Sequence, residues 1–288
     1  MGWTMKDKTV GVVGAGTMGS GIAQASALAG LEVKLFDTSE AARTAGMDKI
    51  KSSLSRLVKK EALSEDDKAE ALSNITLIGD PEQFRDANLI IEAVFEDVNV
   101  KRDVWTRIDA AAPDEALLAT NTSSLSVTEI ASFVSKPERF CGLHFFNPVA
   151  VLPLVEVVRG LQTSDETVER AVAFTKAIGK TPIVCEDKPG FIVNRLLVPY
   201  INDAIHALSE GVASAEDIDQ AMKLGANMPI GPLALADLVG LDVSLAAGDS
   251  LYREFGDSKF RVAPLLRQMV RAGKLGRKSG SGFYGYDD

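Results

Sequence analysis

Three glycines and an acid carry the first chemical signal in the chain. Gly14, Gly16 and Gly19 follow an apolar run, Val10 to Val13, in the pattern Gly-x-Gly-x-x-Gly, with Thr17 and Met18 between the last two. A stretch rich in alanine, isoleucine and leucine comes next, then a second apolar run, Val33 to Phe36, closed by Asp37. This is the strand–turn–helix–strand context in which such glycines bind a dinucleotide. Gly14 makes the tight turn, Gly16 admits a pyrophosphate to the backbone, and Gly19 lets helix and strand pack closely. The N–H groups opening the helix face the pyrophosphate. Asp37 lies about twenty residues beyond the turn, the offset of an acid that accepts hydrogen bonds from ribose hydroxyls.

Nucleotide binding alone does not name a reaction. Hydride transfer to or from a carbon–oxygen bond needs a group that takes or gives the hydroxyl proton, a task that suits histidine. His144 stands in Cys141-Gly-Leu-His-Phe-Phe-Asn-Pro148, at the end of a predicted strand, where doubly wound folds place their ligands. Taken alone, a histidine in an apolar run is more often structural. Glu156, centred in Leu154-Val-Glu-Val-Val158, must be either exposed on a sheet edge or paired. Paired with His144 it would fix the ring tautomer and stabilise the imidazolium. Asn121-Thr-Ser-Ser124 follows a buried strand and could bind substrate or satisfy a turn. Asn194, one helical turn after Gly190, could donate to a substrate oxygen or cap a loop.

The elements that must position these groups alternate. After Asp37, Ser39 caps a predicted helix through Ile50, Leu54 and Leu57, with Lys51, Arg56, Lys59 and Lys60 on a basic exposed side. Ser64 to Leu72 is its antiparallel partner, and the two form an insertion between the second and third strands. Thr76 to Ile78, Leu89 to Val94 and Leu117 to Thr120 read as strands, with a helix from Val100 to Ala112. Ser126-Val-Thr-Glu129 opens a helix to Val134. Phe140 to Phe145, Leu154 to Val158 and Pro182 to Cys185 supply further strands, and Asp165 to Ala177 a helix ending at Gly179. The alternation predicts a doubly wound α/β sheet of Rossmann type over residues 1–186.

The texture changes at Asp187-Lys-Pro-Gly190, a turn, and residues 187–288 read as an all-helical domain. Phe191 to Leu208 is a long apolar helix containing Pro199, which predicts a kink. A helix from Ser214 to Gly225, one element from Leu233 to Leu251, and a helix from Pro264 to Ala272 follow. The Gly-rich basic tail, Gly273 to Gly282, reads as a surface loop.

Composition narrows the class. The 288 residues carry a formal charge of −9, which argues against a nucleic-acid partner. No apolar stretch approaches the ~20 residues of a membrane span. With the first strand starting near residue 8, no leader peptide is expected and a cytoplasmic setting is. Cys141 and Cys185 both sit in apolar runs and are expected to be buried free thiols. Two histidines and no Cys-x-x-Cys or His-Glu-x-x-His give no metal site.

The glycine turn, Asn121-Thr-Ser-Ser-Leu125, His144-Phe-Phe-Asn-Pro148, Glu156 and Pro189-Gly-Phe-Ile-Val-Asn-Arg195 together resemble the 3-hydroxyacyl-CoA dehydrogenase family. The likeness runs through Gly231-Pro232 to Gly280-Ser-Gly-Phe-Tyr284, essentially the whole chain. The compact standalone form is most similar to bacterial members acting on 3-hydroxybutyryl-CoA. The resemblance implies NAD-dependent, reversible oxidation of a (3S)-3-hydroxyacyl-CoA to the 3-ketoacyl-CoA, in fatty-acid metabolism such as β-oxidation. It implies that His144 is the acid/base and Glu156 its partner, with Ser123 and Asn194 holding substrate oxygens. Asp37, Glu92, Glu96, Lys101 and Asn121 fall at cofactor-contacting positions, and Ser53 and Lys60 where the insertion meets the CoA moiety. The helical domain is expected to contribute to the substrate cleft and to a homodimer. A dehydrogenase of another hydroxyacid and a non-enzymatic, crystallin-like NAD-binding protein are the alternatives.

Overall fold

The computed structural model describes residues 8–286, and the chain divides between Lys188 and Pro189 into two compact units. The first is built on one sheet of β1 (Thr9–Val13), β2 (Glu32–Phe36), β3 (Ile75–Ile78), β4 (Leu89–Glu92), β5 (Leu117–Thr120), β6 (Phe140–Phe145), β7 (Leu154–Arg159) and β8 (Thr181–Glu186). Their spatial order is β3-β2-β1-β4-β5-β6-β7-β8. The strands from β3 to β6 in that order pair in parallel, β7 is antiparallel to β6, and β8 is parallel to β7. The order reverses at β1, so the carboxyl ends of β1 and β4 frame the crevice where open α/β sheets take ligands. β1, β4 and β5 are buried at every residue, as apolar strands covered on both faces must be.

The helices α1 (Thr17–Leu28), α2 (Glu40–Lys59), α3 (Glu65–Ser73), α4 (Val98–Ala111), α5 (Val127–Ala131) and α6 (Asp165–Ala177) flank this sheet. α2 and α3 form the insertion between β2 and β3. Ser39, Ser64, Ser126 and Ser164 each accept a hydrogen bond from the backbone N–H three residues on, satisfying a donor that a helix start otherwise leaves unpaired. Two elements are shorter than expected. β4 stops at Glu92, whose carboxylate turns back to accept the Val94 N–H at 2.8 Å. α5 stops at Ala131, because Ser132, Phe133 and Val134 bond three residues back rather than four, the tighter winding of a helix end.

Cys141 is buried in β6, but Cys185 is half-exposed, contrary to the expectation of two buried thiols. β8 is the sheet's edge strand, and its neighbours Ile183 and Val184 also meet solvent. Both thiols are free. Burial pushes each up to about 12, reinforced at Cys185 by the carboxylates of Glu156, Glu186 and Asp187.

The second unit contains α7 (Val193–Ser209), which includes Pro199, then α8 (Ala215–Gly225), α9 (Pro232–Val239), α10 (Leu241–Phe255) and α11 (Pro264–Arg271). The single element expected from Leu233 to Leu251 is two helices. Gly240, at φ +105°, lies outside helical geometry and separates α9 from α10. Ile201, Ile205, Leu233, Ala236, Leu241 and Leu266 belong to this unit's core. The tail is more than a surface loop. It makes a 3₁₀ turn at Arg277–Ser279 and bridges Gly276–Ser281 and Ser281–Gly285. Buried Asp237 of α9 accepts the N–H groups of Phe283 and Tyr284 and the Tyr286 hydroxyl. A Cβ on Gly282 would lie 1.9 Å from the Asp237 carboxylate, so glycine lets the tail cross there.

Candidate active site

The glycine turn departs from β1 at the crevice. Gly14 has φ +103°, a conformation that glycine alone adopts without strain. A Cβ on Gly19 would lie 1.8 Å from the Gly14 carbonyl oxygen, whereas one on Gly16 would meet nothing within 4 Å. Gly19 is therefore required by packing, whereas nothing in the fold itself calls for a glycine at position 16. Gly16 caps α1 without any side-chain hydrogen bond. Thr17 is exposed and Met18 half-buried in the first turn of α1. Asp37 stands beside this turn, its two carboxylate oxygens accepting the Ala15 and Ser39 N–H groups at 3.0 Å each. The Arg43 guanidinium, on α2, donates to the Asp37 carbonyl oxygen. An open helix N-terminus next to a fixed carboxylate fits a dinucleotide.

At the end of β4, Glu92 has no exposed surface. It pairs with Lys101 Nζ at 2.6 Å and accepts from Trp105 Nε1 and Thr120 Oγ1. Lys101 is equally buried and also lies 3.5 Å from Glu96. Glu92 and Lys101 thus lie beneath the surface that a cofactor could touch. Glu96 reaches the loop after β5, accepting from Thr122 Oγ1 at 2.6 Å, the Ser123 and Ser124 N–H groups, and Ser124 Oγ. Burial raises the Glu96 carboxyl, but the Lys101 charge and these hydrogen bonds hold it below the usual value. Asn121 accepts the Phe145 N–H through its side chain, tying that loop to β6.

His144 and Glu156 are directly opposed across the antiparallel β6–β7 pair, so their side chains share one face of the sheet. His144 Nδ1 lies 2.7 Å from a Glu156 oxygen. Glu156 is fully buried on a strand flanked on both sides, which overturns the edge-charge alternative. An ionised carboxylate only accepts, so Nδ1 carries a proton and Nε2 presents its lone pair when the ring is neutral. Ser123 Oγ lies 3.0 Å from Nε2. His144 is almost wholly buried, while Ser123, beside its Nε2, is exposed.

Other expected site residues are placed separately. Asn194 is in the first turn of α7, in the helical unit. Ser53 is half-buried on α2, and Lys60 is exposed at its C-terminal end, with Lys51, Arg56 and Lys59 also exposed. Three residues escaped the sequence reading. Phe95 is 78% exposed, an apolar ring at the carboxyl end of β4. The Phe146 ring packs 4.4 Å from that of His144. Asp187 accepts from Ser126 Oγ and from the Val127 and Thr128 N–H groups. The ring next to His144 could have been noticed in sequence; the reach of Asp187 across sixty residues could not. Among the described residues no cluster of three His, Cys, Asp or Glu side chains could hold a metal ion, and no helix is long and apolar enough to cross a membrane.

Sheet order and the glycine turn define an α/β protein of dinucleotide-binding type, and a buried His–Glu pair lies in its sheet. Two family models divide its length. Residues 9–188 match the NAD binding domain of 3-hydroxyacyl-CoA dehydrogenase, and residues 190–286 its C-terminal domain. The 3-hydroxybutyryl-CoA dehydrogenase of Clostridioides difficile is 48% identical over 96% of this chain and 98% of its own. A probable 3-hydroxybutyryl-CoA dehydrogenase of Bacillus subtilis is 45% identical over 99% of each. The crystal structure of (S)-3-hydroxybutyryl-CoA dehydrogenase PaaH1 from Ralstonia eutropha superposes with a TM-score of 0.95 at 50% identity, covering 98% of this chain and all of that one. The chain belongs to the 3-hydroxyacyl-CoA dehydrogenase family. It is an NAD-dependent oxidoreductase.

Proposed function

We propose that the chain catalyses the reversible oxidation of (3S)-3-hydroxybutyryl-CoA, and of 3-hydroxyacyl-CoA esters more generally, to the 3-ketoacyl-CoA. The observation that carries this reading is the file of Ser123, His144 and Glu156, with contacts of 3.0 and 2.7 Å. When bound, NAD supplies the hydride acceptor. His144 Nε2 takes the 3-hydroxyl proton during oxidation and returns it during reduction. Glu156 holds the tautomer and stabilises the imidazolium. Ser123 and Asn194 hold the substrate oxygens by hydrogen bonding. Gly14, Gly16, Thr17, Met18, Gly19 and Asp37 receive the dinucleotide, and Asn121 borders it. Glu96 borders it as well, while buried Glu92 and Lys101 support that surface from below. Ser53 and Lys60 meet the CoA moiety on the basic side of α2. A homodimer built on the helical unit, in a cytoplasmic setting, completes the reading. Exposed Leu224, Val212 and Leu196 on that unit are consistent with a covered face.

The deciding assay is NADH consumption with acetoacetyl-CoA, with longer 3-ketoacyl-CoA esters, and with the free 3-ketoacids. Turnover confined to CoA esters, greatest for acetoacetyl-CoA, is the expected result. Turnover of the free acids alone would move the chain to another hydroxyacid dehydrogenase activity, and none with any of them would leave a binding protein.

A further inference from the structure

We infer that Asp187 is a positioning residue for the reaction, locking the loop that carries Ser123 to the strand that carries Glu156. The inference rests on the reading of Ser123, His144 and Glu156 given above. The Asp187 backbone N–H donates to the Arg159 carbonyl at 2.8 Å, extending the β7–β8 pairing by one residue. β7 places Glu156 three residues before Arg159, opposite His144. The Asp187 side chain leaves the sheet in the other direction. Its carboxylate accepts from Ser126 Oγ at 2.7 Å, Val127 N at 3.1 Å and Thr128 N at 2.8 Å.

Those three donors open α5, directly after the loop containing Ser123. Glu96 grips the loop's first half through Thr122, Ser123 and Ser124. Inside it, Thr122 Oγ1 accepts the Leu125 N–H at 3.0 Å. Hydrogen bonds from Glu96 to Thr122 and from Thr122 to Leu125, the peptide link to Ser126, and the Ser126 hydrogen bond to Asp187 therefore form a belt, with Ser123 inside it. The loop has carboxylates at both ends and cannot shift toward or away from β6 without breaking one grip.

The consequence is geometric. Ser123 Oγ must stay within hydrogen-bond range of His144 Nε2, whose ring is held by a residue on β7. Asp187 touches both β7 and the start of α5, alongside the Leu161 N–H that donates to Thr128 Oγ1 at 3.0 Å just beyond β7, so it helps close the frame in which that distance is set. It also lies two residues before the helical unit begins at Pro189.

The test is a double-mutant cycle of Asp187→Ala with Ser123→Ala, reading kcat for acetoacetyl-CoA reduction and the Kd for NADH. Displacing a reacting group costs up to about 100-fold in rate, and Asp187→Ala is expected to lower kcat by about 10- to 100-fold with NADH affinity within about twofold. If Asp187 acts through Ser123, its loss in the Ser123→Ala background changes kcat by less than about twofold, the mark of coupled residues. An equal fold-loss in both backgrounds overturns the inference and leaves Asp187 an ordinary helix cap. Full turnover by Ser123→Ala alone overturns the reading of Ser123, a separate result seen in the single variant. Should Asp187→Ala fail to fold, Asp187→Asn and Ser126→Ala remove fewer of the same bonds, and the same non-additivity with Ser123→Ala decides.

Discussion

His144 and Glu156 occupy one cross-strand position, one residue on β6 and the other on β7, with imidazole and carboxylate 2.7 Å apart and both withdrawn from solvent. Neither strand can slip by one residue without turning one of the pair to the opposite face of the sheet. The geometry of this pair is thus a property of strand register. His144→Gln should lower kcat by about 10²- to 10⁴-fold, the usual contribution of a positioned acid/base, with the Kd for NADH retained. Glu156→Gln should lower kcat as well, since an amide cannot stabilise imidazolium. Near-normal turnover by His144→Gln, measured in both directions, would refute this assignment.

Asp37 should set the preference for NADH over NADPH. Its carboxylate is fixed by two backbone N–H groups beside the glycine turn and would repel a 2′-phosphate. Asp37→Ala should weaken NADH binding by about 1.5–3 kcal/mol, the scale of charge-assisted hydrogen bonds. Arg43 already lies against the Asp37 backbone, so the same substitution should relax discrimination against NADPH. Fluorescence titration with the two cofactors checks this; equal affinities in the unmutated protein would contradict it.

Gly16 and Gly19 should fail in different ways when each becomes alanine. The Gly19→Ala methyl would collide with the Gly14 carbonyl, and overpacking of this kind costs about 1–3 kcal/mol of stability. The Gly16→Ala methyl enters open space, so Tm should hold while NADH affinity falls. Thermal melts with and without NADH separate the two. A lowered Tm for Gly16→Ala with unchanged affinity would show that this glycine serves the fold.

Lys101→Met should be strongly destabilising. Lys101 is the buried counter-charge of Glu92 and Glu96, and breaking a buried pair typically costs about 3–5 kcal/mol. Urea unfolding measures this; a loss under 1 kcal/mol, or about that, would be incompatible with a charged buried cluster. The depressed Glu96 carboxyl has a signed consequence. A folded-state value below the unfolded one of 4.5 gives stability that is complete above that value and lost as pH falls through the folded one. The Ser123 loop should therefore stay held down to pH 4.5 and loosen only as pH falls through the lower folded-state value, and Glu96→Gln should flatten the acid limb of stability against pH.

Features set by short-range physics were legible in the order of residues alone. Apolar runs named all eight strands, and Ser39, Ser64 and Ser126 marked helix starts, because a cap and its N–H lie three residues apart. The glycine turn was legible for the same reason, with its strand, helix and acid inside forty residues. Tertiary structure decided the rest. Whether Glu156 was an edge charge or a partner for His144 depended on β7 having neighbours on both sides. That Glu92 and Lys101 are buried beneath the crevice follows from α4 packing its lysine inward onto β4, which no spacing reveals. Cys185 is half-exposed because β8 has one neighbour, although its apolar run reads like those of interior strands. Gly240 divides two helices whose combined hydrophobic pattern looks continuous, since a backbone angle leaves no trace in apolar periodicity. Asp187 shows the limit most clearly. In sequence it begins a turn, and its three hydrogen bonds go to residues about sixty positions earlier, brought near by the order of the strands.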